Sequence, residues 1–305
     1  MKSDYLNPVT QKKYLAFASG FYAKWMPDGG ITPARIIEAL GKAAPEYRPA
    51  SFRVLKNAIA FDQELKGYKW AAKKILDYRN PVTKPDSNHK PKPKKKKVKS
   101  LTEADFWLLV ESLTEKGCNE EVASLMLASA CGVRPCEMRS IHVDAGKVFI
   151  SGGKKSHRGL RGADRVLVID DESTLAAVKF CSDLLVASSR SASTIRDRIR
   201  KEAKALWPRR KVLPTLYSLR HQFGANLKAA GLDDKVRSYL MGHQSTKSIQ
   251  VYGDKRTGDA SAIKVRPVVG VDYSMIRVKD SCVPYAKSAK GGRIAGEDSS
   301  CNFTF

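Results

Sequence analysis

The chain has no apolar run approaching the ~18 residues that a membrane span requires, and its opening stretch MKSDYLNPVTQKKY holds no apolar segment of signal-peptide length. No membrane role is expected. The compartment expected is intracellular: cytoplasmic and nucleoid-associated in a bacterial or phage setting, nuclear in a eukaryotic one. Cysteine is sparse. The six, at 118, 131, 136, 181, 282 and 301, form no CxxC and no paired spacing. Cys131 and Cys136 alone cannot complete a zinc site, so free thiols are expected. Acidic residues are also few: 31 Asp+Glu face 55 Lys+Arg, a net charge of +24. Such an excess favours partners dense in negative charge, because each phosphate contact releases condensed counterions. Nucleic acid leads over anionic membrane, for which no lipidation signal or basic amphipathic helix is evident. Internal repeats are absent.

What is present suffices for two domains and a tail: 305 residues, 42% of them hydrophobic. Residues 1–83 read as a small helical bundle. Leu15, Ala18, Phe21, Tyr22 and Trp25 recur at helical spacing. Thr32-Pro33 opens a second helix with Ile36, Ile37 and Leu40 inward. Ser51 is expected to cap a third, carrying Val54, Leu55, Ala58, Ile59 and Leu65, and Trp70, Ile75 and Leu76 mark a fourth. The stretch 81–100 carries four prolines and eight lysines, so it cannot pack a core and its like charges extend it. Its linker portion, 84–100, is a DNA-backbone strap using Lys94, Lys95, Lys96 and Lys97, a solvated spacer, or a nuclear-import signal.

Order resumes at Leu101. Thr102 with Asp105 resembles a capping box for a helix burying Phe106, Leu109, Val110 and Leu113. Residues 120–131 form an almost wholly apolar helix, expected at the centre of a domain spanning 101–265. Strands are expected at Ser140–Val143, Lys147–Ile150 and Arg165–Ile169, the first two joined by a turn at Asp144-Ala145-Gly146. Helices follow over Ser173–Leu206, Ser218–Ala230 and Asp234–Met241, with Gly231 and Gly242 as stops. Beyond 265 periodicity fades, and 266–305 reads as a tail. The fold class is therefore mainly α with one small antiparallel β-sheet.

A basic protein that breaks phosphodiesters has two routes. A metal-dependent nuclease needs clustered carboxylates. The dense acidic cluster of the second half, Asp170-Asp171-Glu172, sits where a strand ends and a helix begins, and reads better as a helix start. The other route replaces metal by side-chain cations: arginines on the phosphate oxygens, a nucleophile, and a proton donor for the leaving oxygen. The second half supplies this set in order. It contains Gly132-Val133-Arg134-Pro135-Cys136-Glu137, then Lys154-Lys155, then Tyr217-Ser218-Leu219-Arg220-His221, then Gly242-His243, then Tyr252.

That order, and the local contexts GVRPCEM, YSLRHQFGANLKAAG and LMGHQSTKSIQVYGD, resemble the tyrosine recombinase (phage integrase) family across roughly residues 100–255. The N-terminal region resembles the family's core-binding domain only in size and helical character. The resemblance implies a C-shaped clamp on DNA and a site-specific strand exchange through a 3′-phosphotyrosyl intermediate, needing neither cofactor, metal nor ATP. It implies that Arg134 and Arg220 hold the scissile phosphate and that His243 bonds a non-bridging oxygen or assists proton transfer. Lys154 protonates the leaving 5′-oxygen, with Lys155 its alternative and a DNA contact, and Tyr252 attacks phosphorus. Glu137 supports Arg134. Implied partners are double-stranded DNA bearing a specific core site, three further copies forming a homotetramer on that DNA, and accessory DNA-bending or directionality proteins. The tail is expected to pack on a neighbouring protomer.

One position departs from the pattern: Tyr217 stands where the family usually has His. A phenol is a poor base at neutral pH but can donate a hydrogen bond. Tyr217 then orients the phosphate, His221 compensates, or cleavage is slow. Tyr273 and Tyr285 are rival nucleophiles to Tyr252. A type IB topoisomerase-like enzyme and a catalytically silent DNA-binding protein on the same fold are the alternatives.

Overall fold

The computed structural model describes residues 6–153 and 162–278. The chain divides into two compact units, with the boundary between Lys96 and Lys97.

The first unit is four helices: α1 (Pro8–Trp25), α2 (Pro33–Ala43), α3 (Pro49–Leu65) and α4 (Lys69–Asp77). Three of them start on proline, whose fixed φ and missing N–H suit the first helical position. Asn7 and Thr32 cap α1 and α2 by accepting from the Val9 and Arg35 amides. The expected cap at Ser51 is displaced, because Pro49 opens α3 two residues earlier and leaves Ser51 inside it. Phe21, Ile36, Leu40, Phe52, Ile59 and Ile75 fill the core. Leu15, Val54, Leu65 and Trp70, expected inward, are exposed instead. Trp70 shows why: α4 buries Ala71, Ala72 and Ile75, and one residue back is a turn of about 100° off that stripe. Beyond α4 the chain returns along this unit. Arg48 donates to the Pro93 carbonyl at 2.9 Å and Lys92 to the Glu46 carbonyl at 2.7 Å.

The second unit surrounds α6 (Asn119–Cys131). Apolar side chains of α6 meet α5 (Glu103–Glu115), α7 (Glu172–Ala187), α8 (Ala192–Leu206) and α9 (Leu216–Ala229). Thr102 caps α5 by accepting from the Asp105 amide. The long helical stretch expected over 173–206 is two helices. Ser188–Ser191 interrupts it, and Ser191 caps α8 through the Thr194 amide at 3.1 Å, an alternative to helix that serine offers the backbone. Asp171 caps α7 likewise, accepting from Thr174. Asp170 is held by both guanidinium arms of Arg266 at 2.7 Å. The acidic cluster is thus a helix start and an ion pair.

One antiparallel sheet lies beside these helices, in the order β1 (Ile141–Asp144), β2 (Lys147–Ile150), β3 (Arg165–Ile169), β4 (Val265–Pro267). Ala145 and Gly146, at φ +44° and +75°, form the two-residue β1–β2 turn whose primed geometry matches the strand twist. The fourth strand was not expected. It pairs with the open edge of β3, where unpaired backbone groups need a partner. Arg277 further bridges Ser245, so the second unit continues past the boundary expected at 265. After α9 come α10 (Asp234–Leu240) and α11 (Thr246–Gln250), the latter a short helix not anticipated from the sequence. Among the described residues no helix is long and apolar enough to cross a membrane.

Candidate active site

Four separate elements bring the expected residues together. Arg134 follows α6, whose C-cap Gly132 turns the chain. Arg220 lies one turn into α9, His243 follows α10, and Tyr252 follows α11. Arg134, Arg220 and His243 are all buried, an unusual place for two cations and one that demands partners.

Glu137 is that partner for Arg134. It is fully buried, and it takes the Arg134 guanidinium and, at 2.9 Å, the Arg134 amide. The same carboxylate accepts from Arg165 at 3.1 Å and from the Gly153 amide at 3.2 Å. Burial would push its carboxyl up; Arg165, Arg134, the Arg134 amide and Arg220 outweigh that and hold it down at about 2. Arg165 is the residue missed by sequence reasoning. Its side chain is wholly buried, and its Nε and Nη1 have no hydrogen-bond partner among the described residues. A signal existed: the β3 alternation turns Arg165, Leu167 and Ile169 to one buried face, and arginine is out of place in such a row.

Arg220 donates to the Gly132 and Met241 carbonyls and its Nη2 lies 3.0 Å from His243 Nε2. Guanidinium cannot accept, so Nε2 must, which assigns the proton of His243 to Nδ1. That buried Nδ1 has no partner among the described residues. Burial, then Arg220, Arg134 and Arg165, depress the His243 imidazole to about 2, so it is neutral at physiological pH. Burial and the neighbouring Arg134 and Arg165 lower Arg220 to about 10, which leaves it charged.

The ring of Tyr252 packs near two imidazoles, 4.8 Å from His221 and 5.0 Å from His243 by centroid, with the Arg220 guanidinium carbon 5.2 Å away. Tyr217, in the first turn of α9, is 41% exposed. Burial, Cys136 and Tyr252 raise its hydroxyl, against the pull of Arg220 and Arg134. It therefore stays protonated at neutral pH and can donate a hydrogen bond, not abstract a proton. Tyr273 packs edge-on against Tyr239 at 5.8 Å, and Tyr239 bonds both backbone groups of Val166.

Lys154, Lys155 and Tyr285 lie outside the described residues; the two lysines fall between β2 and β3 in the chain. Lys94, Lys95 and Lys96 are exposed at the end of the first unit, and Lys97 is exposed at the start of the second. Lys97 and Lys99 approach His221 closely enough that, after burial, their charges lower its imidazole. Among the described residues at this site, three buried guanidiniums (Arg134, Arg165, Arg220) thus face one buried carboxylate, Glu137. The excess positive charge makes the site one that an anion would stabilise.

No protein-family profile and no curated protein sequence matches the chain. Solved structures do. A lambda integrase dimer bound to a COC′ core site has a TM-score of 0.58 at 18% identity, over 82% of this chain and 73% of that one. A lambda integrase tetramer bound to a Holliday junction gives 0.56 at 16% identity, over 82% and 73%. The XerH site-specific recombinase bound to a palindromic difH substrate gives 0.50 at 14%, over 79% and 75%. With the helices of its second unit beside one small antiparallel sheet, this chain has the fold of the tyrosine recombinases.

Proposed function

We propose that the chain is a site-specific DNA recombinase that cleaves and rejoins strands through a 3′-phosphotyrosyl bond, serving to integrate, excise or resolve a mobile element. The observation that carries this reading is the convergence of buried Arg134 and Arg220, neutral His243 and the Tyr252 ring at one site. A phosphodiester entering there supplies the missing negative charge. Arg134 and Arg220 hold its non-bridging oxygens and stabilise the charge that grows on them in the transition state. The unpartnered Nδ1–H of His243 donates to the same group. The Tyr252 oxygen loses its phenolic proton to solvent and forms the new bond to phosphorus as the bond to the 5′-oxygen breaks. Lys154, or Lys155 in its place, gives that oxygen its proton, leaving a free 5′-hydroxyl. Tyr217 orients the phosphate by donating a hydrogen bond. The bond energy is kept in the phosphotyrosine, so religation reverses the same steps.

The partners in this reading are duplex DNA with a defined core site and, for exchange between two duplexes, a homotetramer assembled on it, with accessory DNA-bending or directionality proteins beside it. Lys94, Lys95, Lys96, Lys97 and Lys155 contact the backbone. The solved neighbours hold DNA, one of them as a tetramer on a four-way junction, which supports the assembly. Residues 266–305 include the segment proposed to pack on a neighbouring protomer.

The test is covalent trapping on nicked duplexes taken from the DNA flanking the chain's own gene, resolved on a denaturing gel. Wild type forms an adduct and Tyr252→Phe does not, while both shift the same DNA on a native gel. An adduct that survives in Tyr252→Phe moves the nucleophile to another tyrosine. A native shift with no adduct from wild type favours a binding protein on the recombinase fold, the reading that Tyr217 at the usual His position also supports.

A further inference from the structure

The segment carrying Tyr252 has little structure of its own. Five-residue α11 precedes it, and a single 3-10 turn, Lys255–Thr257, follows. A helix that short does not hold itself in water, so the position of Tyr252 is decided by what the segment is fastened to. That is α9, the helix bearing Arg220. Lys228, in the last turn of α9, donates to the Gly253 carbonyl at 2.9 Å and to the Gln250 carbonyl at 3.3 Å. These two carbonyls stand on either side of Tyr252. His221 stacks on the tyrosine ring, and its Nδ1 accepts from the Gly253 amide at 3.4 Å. Further on, Gln222 donates to the Thr257 carbonyl at 2.6 Å, and Asn226 accepts from the Asp259 amide at 3.0 Å.

The backbones touch as well. A Cβ on Gly253, which sits at φ +63°, would lie 2.3 Å from the Ala225 nitrogen. Nothing larger than glycine permits that approach, and the positive φ disfavours any other residue. Lys228 is partly buried, which lowers its ammonium, as does Arg237, while Asp254 and Asp234 act to raise it. Its hydrogen bonds are to backbone carbonyls, so it is not committed to a carboxylate partner.

We infer that Lys228 is a positioning residue: a latch that pins the Tyr252 segment onto α9 of its own chain, so that the nucleophile stands beside Arg220 and His243 before DNA arrives. Its consequence for cleavage rests on the recombinase reading; the latch itself does not. Lys228 touches no reacting atom, so removing it displaces the nucleophile without altering the phosphate clamp.

The experiment compares wild type with Lys228→Met and Lys228→Arg in the full chain. Amide hydrogen exchange is followed at residues 250–258, and single-turnover adduct formation is followed at saturating nicked duplex. Lys228→Met is expected to speed exchange at 250–258 while α5–α8 keep wild-type protection. Adduct formation should slow about 100-fold, the scale of a nucleophile misplaced by about 1 Å, with DNA affinity unchanged. Lys228→Arg, which keeps donors within reach of both carbonyls, should recover most of the rate. Wild-type exchange at 250–258 in Lys228→Met overturns the latch, as does an unchanged cleavage rate. Equal loss of rate and of DNA affinity also overturns it, because it would mark Lys228 as a DNA contact. If wild type forms no adduct, the recombinase reading falls and exchange alone decides the latch. Lys228→Gln carries the same measurements should Lys228→Met fail to fold.

Discussion

Replacing Glu137 by glutamine tests whether one carboxylate holds the buried arginines together. The amide has the same shape but no charge, and its NH2 must point at a guanidinium or at the Gly153 amide. Glu137 accepts from Arg134 twice, from Arg165 and from Gly153. Its carboxyl is held at about 2 against an ordinary 4.5. At roughly 1.4 kcal/mol per pH unit, that difference corresponds to about 3 kcal/mol of folding stability. The figure agrees with the ~3–5 kcal/mol expected when one partner is removed from a buried ion pair. The second unit should then melt about 6–12 °C lower at pH 7. The depressed value sets the direction with pH: this stability is complete above the unfolded carboxyl's range and is lost as pH falls through it toward about 2. Urea unfolding of wild type and Glu137→Gln at pH 7 and pH 3 should therefore show a wide gap that narrows in acid. Sulfate, an anion for the arginines, should restabilise the variant more than wild type. A variant within about 1 kcal/mol of wild type at pH 7, or a gap equally wide at pH 3, would refute the reasoning.

Three further outcomes follow from the same site. Arg220→Lys should lower the single-turnover adduct rate by about 100- to 1,000-fold, the scale for loss of one preorganised donor, with a smaller effect on DNA affinity. Tyr217→His should speed cleavage and introduce a pH dependence near the imidazole range that wild type lacks; an unchanged rate and profile would mean that position 217 takes no part. His243 is held neutral by burial and by Arg220, Arg134 and Arg165. Between its folded value of about 2 and its ordinary 6.5, the unfolded chain binds the extra proton. Stability should thus fall by up to ~1.4 kcal/mol per pH unit as pH drops below about 6, and His243→Gln should flatten that slope in urea titrations.

Much of the fold was legible because the apolar residues follow helical or alternating periods. The four helices of the first unit, most of those in the second, three strands and the Asp144–Lys147 turn follow from pattern and turn chemistry. β4 was not legible, because three residues carry too little period and their pairing with β3 spans nearly a hundred positions. The Ser188–Ser191 break was obscured by strong helical pattern on both sides, although Ser191 is itself a good cap. The exposed Val54, Leu65 and Trp70 show the opposite error: a helical period identifies a stripe but not which edge of it the neighbouring helices cover.

By itself the sequence determined the chemistry available: two arginine boxes, a Gly-His and a tyrosine in a fixed order, on a chain of +24 charge. Tertiary structure decided what those side chains are. Burial among three guanidiniums makes His243 a neutral donor. A strand arginine with no motif, Arg165, becomes a partner of Glu137, and Lys228 comes to bracket Tyr252. Each of these depends on low dielectric and on contacts between residues far apart in the chain, and neither is written in local spacing.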